Sequence, residues 1–600
     1  MAQPDAVTAQ EPFAGFEPLD AGAADGDSLL HFDYDLTVSL GRRAGSFMYD
    51  FGAFGWPAGW SYLGASPNHA VLYWQGIPFD DLVTGRPRYD LLPTALLSAP
   101  GVALGARSVP VAVLTRLRAF DASRPLTELH YQAGDNSLQR ITALHTQRVP
   151  KTVMGRPGLL QGLFAYAGGA AVGEYAGSRL QRMRQLLLGA QYQQVHWSLE
   201  ALFLHNQRRL GAHGGVVPVR DYESVYNRLT ATTRDDKAVR RDVRHDASVT
   251  LRVGALALQA WHVYARMRYT RAPGDAAEVT SSRWGLRLRR PVEWGAHRMR
   301  ILAEGYMQGA SARAHAALRD SVGTGAVTLA GEAGVSLAQG TVFASAAAEI
   351  VYRWTVYASA FSVGIAPSRA AIQGFGNFVV PLSRVPIGRT EQIRLGARIR
   401  RGILDVDLFG FAGQEHNLHD FYGQRSDSAV VRVHEGALRL AGVVLDAGLR
   451  RSAQRGFYAH AHALRIILRG SIPRAREEAV PALYGQGRIG ARYRLFTGDL
   501  RLDVSVRARL WTAMTSRMLH APTGLLTLPE DPGLYPEEGR LPASAVVDIV
   551  AEAGVRTAVL FAAYENILSG SPLMAGNQIV PLYPLPAIRL RFGVFWPIVN

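Results

Sequence analysis

"WHVYARMRYT", residues 261–270, puts Trp261, Val263, Ala265, Met267 and Tyr269 on one face of an extended chain and His262, Tyr264, Arg266, Arg268 and Thr270 on the other. Side chains of a strand alternate with a period of two, so this stretch reads as a strand with one apolar and one polar side. Two neighbours repeat the pattern. In "SSRWGLRLRR", 281–290, Trp284, Leu286 and Leu288 alternate with Arg283, Arg287 and Arg289. In "HRMRILAEGYMQ", 297–308, Met299, Ile301 and Ala303 oppose Arg298, Arg300 and Glu304. Arginines recurring on one face of adjacent strands need water or ion pairs, which leaves the apolar face for lipid. A soluble sandwich or propeller would instead turn the apolar face into a packed core.

Similar segments lie near 126–134, 138–148, 181–207, 244–254, 322–366, 391–412, 430–470, 486–511, 543–567 and 587–599. Together they predict about 20 to 22 strands of roughly 9 to 13 residues, close to the length that crosses a bilayer at a tilt. Some connections are short, such as "GDNS" at 134–137 and "TGD" at 497–499; others are long and polar, at 206–243, 367–390, 413–428 and 513–542. Short turns on one rim and long loops on the other characterise an outer-membrane barrel. The predicted fold is all-β, a transmembrane antiparallel β-barrel. Trp197, Tyr269, Trp294, Trp354 and Trp511 stand near strand ends, where aromatics form interfacial girdles.

The chain closes on "AIRLRFGVFWPIVN", in which Ile588, Leu590, Phe592, Val594, Trp596 and Ile598 form one apolar face opposed by Arg589, Arg591 and Gly593. A last strand of this kind suits closure against the first strand, with Phe592, Val594, Trp596 and Ile598 presented to a barrel-assembly machine. Pro597 removes one ladder hydrogen bond, which is tolerable near a strand end.

Composition narrows the alternatives. Of 600 residues 48% are apolar, yet no run of 18 is free of charges and amides, so no membrane-spanning helix is predicted. The formal charge is +16, and Lys151 and Lys237 are the only lysines. Arginine pairs bidentately with carboxylates and phosphates. Its spread along the whole chain argues against a nucleic-acid partner, and a GC-rich genome would give the same bias without functional meaning. There is no cysteine, which removes disulfides and thiolate chemistry. Residues 1–29 read as a flexible leader without the basic and apolar regions of a signal peptide; an export signal is expected to have been removed or to lie upstream.

Three stretches resemble the TonB-dependent receptor family and the plug-bearing putative porins of the Bacteroidota and Rhodothermota type. "PLYPLPAIRLRFGVFWPI", 581–598, is similar to the family's ending, in which a Tyr-Pro-x-Pro element precedes an Arg-x-Gly-x-x-Trp strand. "FAAYENILSG", 561–570, is similar to its motif with an Asn after an aromatic. The segment 45–93, ending in "VLYWQGIPFDDLVTGRPRYDLLP", is similar to the receptor plug, through the order Gly76, Pro78, Asp80, Asp81, Gly85, Asp90 and Leu91-Leu92-Pro93. The resemblance implies a small globular plug in the lumen of a 22-stranded barrel, with leader 1–29, plug-like domain 30–107 and barrel 108–600. It implies outer-membrane transport of a small solute in a Gram-negative bacterium, with a TonB-type coupling protein or a surface lipoprotein as partner and outer-membrane lipid around the wall. The plug is shorter than usual, and only "DAVTAQ" at 5–10 stands where a TonB box would. A passive plug-bearing porin and a surface scaffold or adhesion barrel therefore remain as alternatives.

No G-x-S-x-G, H-E-x-x-H or Walker loop is present, so no enzyme, cofactor or metal site is expected. His460 and His462, and "HNLHD" at 416–420 in an expected surface loop, read as hydrogen-bonding histidines. Arg266, Arg268, Arg283, Arg287, Arg289, Arg298 and Arg300 are expected on the lumen wall. There they either draw anions along a solute path or pair with plug acids such as Asp80, Asp81 and Asp90.

Overall fold

The structure is a computed structural model that describes residues 33–599 apart from 121–122, 154, 218–224, 228–229, 272–275, 354, 424–427, 435, 450–454, 470–473, 531–539 and 570–573. The leader 1–29, with "DAVTAQ", and Trp354 therefore lie outside the described residues. Twenty-two antiparallel strands form one closed barrel. The last, Arg589–Val599, pairs with the first, Leu126–Gly134, from Arg591 opposite Gly134 to Val599 opposite Leu126. Closure leaves no unpaired edge, as a lipid surround demands. Strand lengths run from 8 residues at Ala558–Glu565 to 19 at Ala276–Trp294, a wider spread than the sequence pattern predicts. No described helix is long and apolar enough to cross a membrane.

Strands are joined alternately at two rims. Among the described residues one rim carries short turns, such as 254–255 and 402–403; the other carries the connections 212–238, 366–387, 417–436, 512–543 and 566–588. "TGD" lies on the short-turn rim, but "GDNS" follows the first barrel strand and so lies on the long-loop rim. Three of the long connections build a five-stranded sheet in the order Val379–Val380, Ala429–Val433, His419–Gly423, Leu525–Pro529, Met518–His520. His419 and Asp420 are buried in that sheet, contrary to the surface loop expected for "HNLHD". His419 and Asp420 pair with Val433 and Arg432 in a local hairpin, but Arg517, which meets the Asp420 carboxylate, comes from a connection about a hundred residues later, which no local pattern reveals.

The lumen is filled by residues 33–117. The helix Leu36–Gly41 is capped by Asp35, whose carboxylate accepts from the Thr37 and Val38 amides at 2.8 and 3.2 Å. A hairpin pairs Ser46–Tyr49 with Gly59–Tyr62. A four-stranded sheet follows in the order Ile77–Pro78, Ala70–Trp74, Val111–Thr115, Gly101–Leu104. Val111–Thr115 runs parallel to Ala70–Trp74 inside this sheet, so it belongs with the plug and not with the barrel beginning expected at 108. Val111, Ala112 and Val113 are all buried, which fits a strand covered on both faces.

The orientation of residues 261–270 differs from expectation. Trp261 stands opposite Gly285 and Val263 opposite Arg283, so both share the lumen face with Arg283, and they pack on Ile77 and Leu82 of the plug. Arg266 and Arg268 consequently point outward, with side chains 48% and 44% exposed. The plug gives this wall an apolar partner inside, which reverses the preference that an empty, wet lumen would impose. Gly285 makes room for the Trp261 indole; a Cβ there would overlap it. On the next strand the faces are as the pattern predicts: Trp284 and Leu286 are outward and Arg283 and Arg287 inward. Tyr269 and Trp511 turn inward and are buried, so they are not girdle residues, whereas Trp294 is outward.

Candidate functional site: the plug and its seat

The segment 70–93 runs along one wall of the barrel. Gly76, at φ +77°, closes the reversal between Ala70–Trp74 and Ile77–Pro78, with Trp74 opposite Ile77. Arg287 donates to the carbonyl oxygens of Gly76 and Gln75. A Cβ on Gly76 would occupy the position of the Arg287 guanidinium and would sit on a left-handed backbone. Gly76→Ala is expected to lower plug stability by about 2 kcal/mol, through strain and the loss of the Arg287 bonds. Faster protease cleavage of the plug in folded protein is the readout; an unchanged cleavage rate would contradict the role given to this contact.

Asp80 and Asp81 have separate tasks. Asp80 accepts two bonds from Arg283, at 2.6 and 3.1 Å. Burial pushes the Asp80 carboxyl up, but Arg283 and then Arg244 outweigh it and hold it below the usual carboxylate range. Asp81 closes the following turn, accepting from the Val83 and Thr84 amides at 3.0 Å each. Gly85, at φ +74°, donates back to the Asp81 carbonyl at 2.8 Å.

Beside them lies a buried cluster of three arginines and three aspartates. Arg88 meets Asp90 at 3.0 Å, Asp81 at 3.2 Å and Asp242 at 3.4 Å. Arg208 meets Asp242, through its Nε at 3.0 Å, and also Asp90. Arg240 meets Asp242 at 3.1 Å and Asp81 at 3.5 Å. No side chain of the six is more than 6% exposed. Burial would raise the Asp90 carboxyl, yet Arg88 and Arg208 hold it well below the carboxylate range. Because Arg88, Asp81 and Asp90 belong to the plug while Arg208, Arg240 and Asp242 belong to the wall, this cluster seats one on the other. The wall side was within reach of the sequence: "RRDVRHD", 240–246, places Arg240, Asp242, Arg244 and Asp246 on one strand face. Next to the cluster, buried Arg86 donates to the carbonyls of Pro57, Ala58 and Gly524, and burial pushes its guanidinium down to about 10.

Of the seven arginines expected on the lumen wall, Arg283 and Arg287 touch the plug. Arg289 and Arg300 share their face nearer the short-turn rim, and Arg298 follows at the rim itself. Arg266 and Arg268 are outside. The plug contributes Arg107 to the lower wall; its amide donates to Glu332 at 2.8 Å and its guanidinium lies 3.8 Å from Glu304. Elsewhere the seat is apolar, with Leu144, Leu187, Leu204 and Leu440 in one buried cluster with plug residues such as Leu40 and Trp60. On the closing strand Phe592 and Trp596 face outward.

The long-loop rim closes over the plug. Tyr49 donates to the Ala479 carbonyl at 2.8 Å and Asn68 to that of Leu526 at 2.8 Å. Arg509 meets Asp50 at 2.9 Å. Within the loop sheet, Arg517 and Asp420 form a fully buried pair at 2.6 Å. Between plug, wall and loop sheet lies a cavity of about 170 Å³ bordered by Tyr73, Asp80, Arg283, Glu304, Arg369 and His419. Among the described residues no group of three or more His, Cys, Asp or Glu is placed to hold a metal.

His69 of the plug lies against His419 of the loop sheet, ring centres 5.2 Å apart. Burial pushes the first imidazole down to about 3 and the second down to about 4. Free imidazoles take up protons below about pH 6.5, while the docked pair stays neutral, so the contact is fully stable above that pH and weakens as pH falls toward 4. Asp35, pushed up to about 7 by burial, works in the opposite direction. Comparison with H69F/H419F isolates the histidine contribution: wild-type plug should become more protease-sensitive between pH 7 and 5, and the variant less so. Equal acid sensitivity would contradict it.

No family model matches the chain, and no curated protein matches it in sequence. Solved structures do match in fold. The FrpB iron transporter from Neisseria meningitidis superimposes with a TM-score of 0.68 at 12% identity over 94% of this chain and 96% of that one. The copper transporter OprC gives 0.71 at 10% identity over 94% and 95%. The siderophore receptor PirA from Acinetobacter baumannii gives 0.66 at 10% identity over 94% and 96%. With its lumen filled by a globular N-terminal segment and its wall closed by 22 strands, this chain has the fold of the TonB-dependent receptors of the outer membrane.

Proposed function

We propose that this protein takes up a small solute across the outer membrane of a Gram-negative bacterium through a plug-gated barrel, driven by a TonB-type coupling protein that engages the leader. The observation that carries the proposal is the ionic seat, in which plug residues Arg88, Asp81 and Asp90 meet wall residues Arg208, Arg240 and Asp242. Its polar contacts can be exchanged for water during a displacement, whereas the apolar part of the seat, such as Leu187 and Leu440 against the plug, resists opening and calls for a pull on the plug. The neighbours named for iron, copper and siderophore transport support solute uptake as the class. The lumen arginines Arg283, Arg287, Arg289, Arg298 and Arg300 then serve partly to hold the plug and partly to line the path once it moves.

The test is uptake in cells expressing a chain without residues 1–29. Loss of uptake, with the barrel still inserted, is expected from energy coupling. Unchanged uptake would sink that reading and leave the passive plug-bearing porin; no transport in either form would leave a scaffold.

A further inference from the structure

Four arginines stand in direct cross-strand register on the outside of the barrel. Arg182 is opposite Arg209, Arg209 opposite Arg241, and Arg241 opposite Arg268, on the strands Leu180–Gln193, Trp197–Gly211, Val239–Val253 and Leu256–Thr270. Each is two residues from the long-loop end of its strand, so the row lies roughly 7 Å below that rim along the strands. Like charges directly opposite one another on a sheet are destabilising. Here three such juxtapositions follow in succession. The row ends at Glu278, opposite Arg268, and Glu278 also takes Arg266 at 2.8 Å. Above it Arg271 is held by Asp235 at 3.2 Å. Among the described residues, Arg182, Arg209 and Arg241 meet no carboxylate.

The surroundings identify what would neutralise them. Arg179, Arg182, Arg209, Arg241, Arg266 and Arg268 border a shared depression of about 610 Å³ on the outer wall. The next outward positions below it are Arg184, Gln207, Val243 and Arg266, then Leu186, His205, His245 and Tyr264, and the apolar band begins below these with Leu188 opposite Phe203. Farther round at the same rim the outward positions are Met307, Leu337 and Val342, so the row is a local patch and not a belt. A ligand fitting this place carries more than one phosphate at the level of the head groups and acyl chains beneath them.

We propose that Arg182, Arg209, Arg241 and Arg268 form a binding site for the phosphates of a phosphorylated glycolipid of the outer leaflet, with its acyl chains reaching down to Leu188 and Phe203. Arginine forks suit phosphate oxygens bidentately, and the bound phosphates offset the mutual repulsion of the row. The site is independent of whether the barrel transports anything.

The test is thermal unfolding of the purified full chain in detergent micelles, titrated with diphosphoryl lipid A, with the same glycolipid after dephosphorylation, and with inorganic phosphate. Diphosphoryl lipid A should raise the unfolding temperature saturably, and the other two should not. In R182Q/R209Q/R241Q, which removes like charges and should fold, the midpoint of the titration should move to at least roughly tenfold higher lipid, while R182K/R209K/R241K, which keeps the charge without the fork, should fall between the two. An equal shift in wild type and the Gln variant, or a full shift with inorganic phosphate or the dephosphorylated glycolipid, would overturn the proposal.

Discussion

Asp242→Ala is expected to loosen the plug more than any other single substitution. This carboxylate meets Arg88, Arg208 and Arg240 together, and its loss leaves three buried guanidiniums sharing Asp81 and Asp90. Breaking a buried pair by removing one partner costs about 3–5 kcal/mol, because the remaining charge is stranded without water. Removing both members is milder, so D90L/R208M should retain more plug stability than either Asp90→Leu or Arg208→Met alone. Protease cleavage within 33–117 and the current in planar bilayers both read the effect. A D242A protein as protected and as closed as wild type would show that the cluster does not seat the plug.

The second large effect concerns the emptied lumen. Without residues 33–117, Arg283 loses Asp80 and Arg287 loses the carbonyls of Gly76 and Gln75, so both face water beside Arg289 and Arg300. Arg283, Arg287, Arg289 and Arg300 outnumber the acids Glu304 and Glu332 on this wall, and an excess of one sign concentrates counter-ions, so the plugless barrel should prefer anions over cations. Adding R283Q, R287Q and R289Q should move the reversal potential in a salt gradient toward zero. An unchanged reversal potential would deny these arginines any part in selectivity.

Strand identity was legible because alternation is a local property: "WHVYARMRYT" and "HRMRILAEGYMQ" both lie in barrel strands. Which face points inward was not legible for the first of them. Facing is set by what fills the lumen, and the plug offers Ile77 and Leu82 to Trp261 and Val263 at positions nearly two hundred residues away. The same separation hid the seat. Asp80, Asp81 and Asp90 stood out in the plug stretch, and the register brings Arg283 to the first of them. Arg208 and Asp242, however, become partners of Asp90 and Arg88 only once the barrel has closed. The end of the plug is not legible for a comparable reason, since Val111–Thr115 reads as any short apolar strand until its parallel pairing with Ala70–Trp74 is known.

The central claim is that residues 33–117 close a barrel that is otherwise open. Single-channel recording of the intact chain and of the chain lacking 33–117, in the same planar bilayer, tests it most directly. The account predicts no steady current from the intact chain and a large ohmic current from the plugless one; equal currents from the two would contradict it.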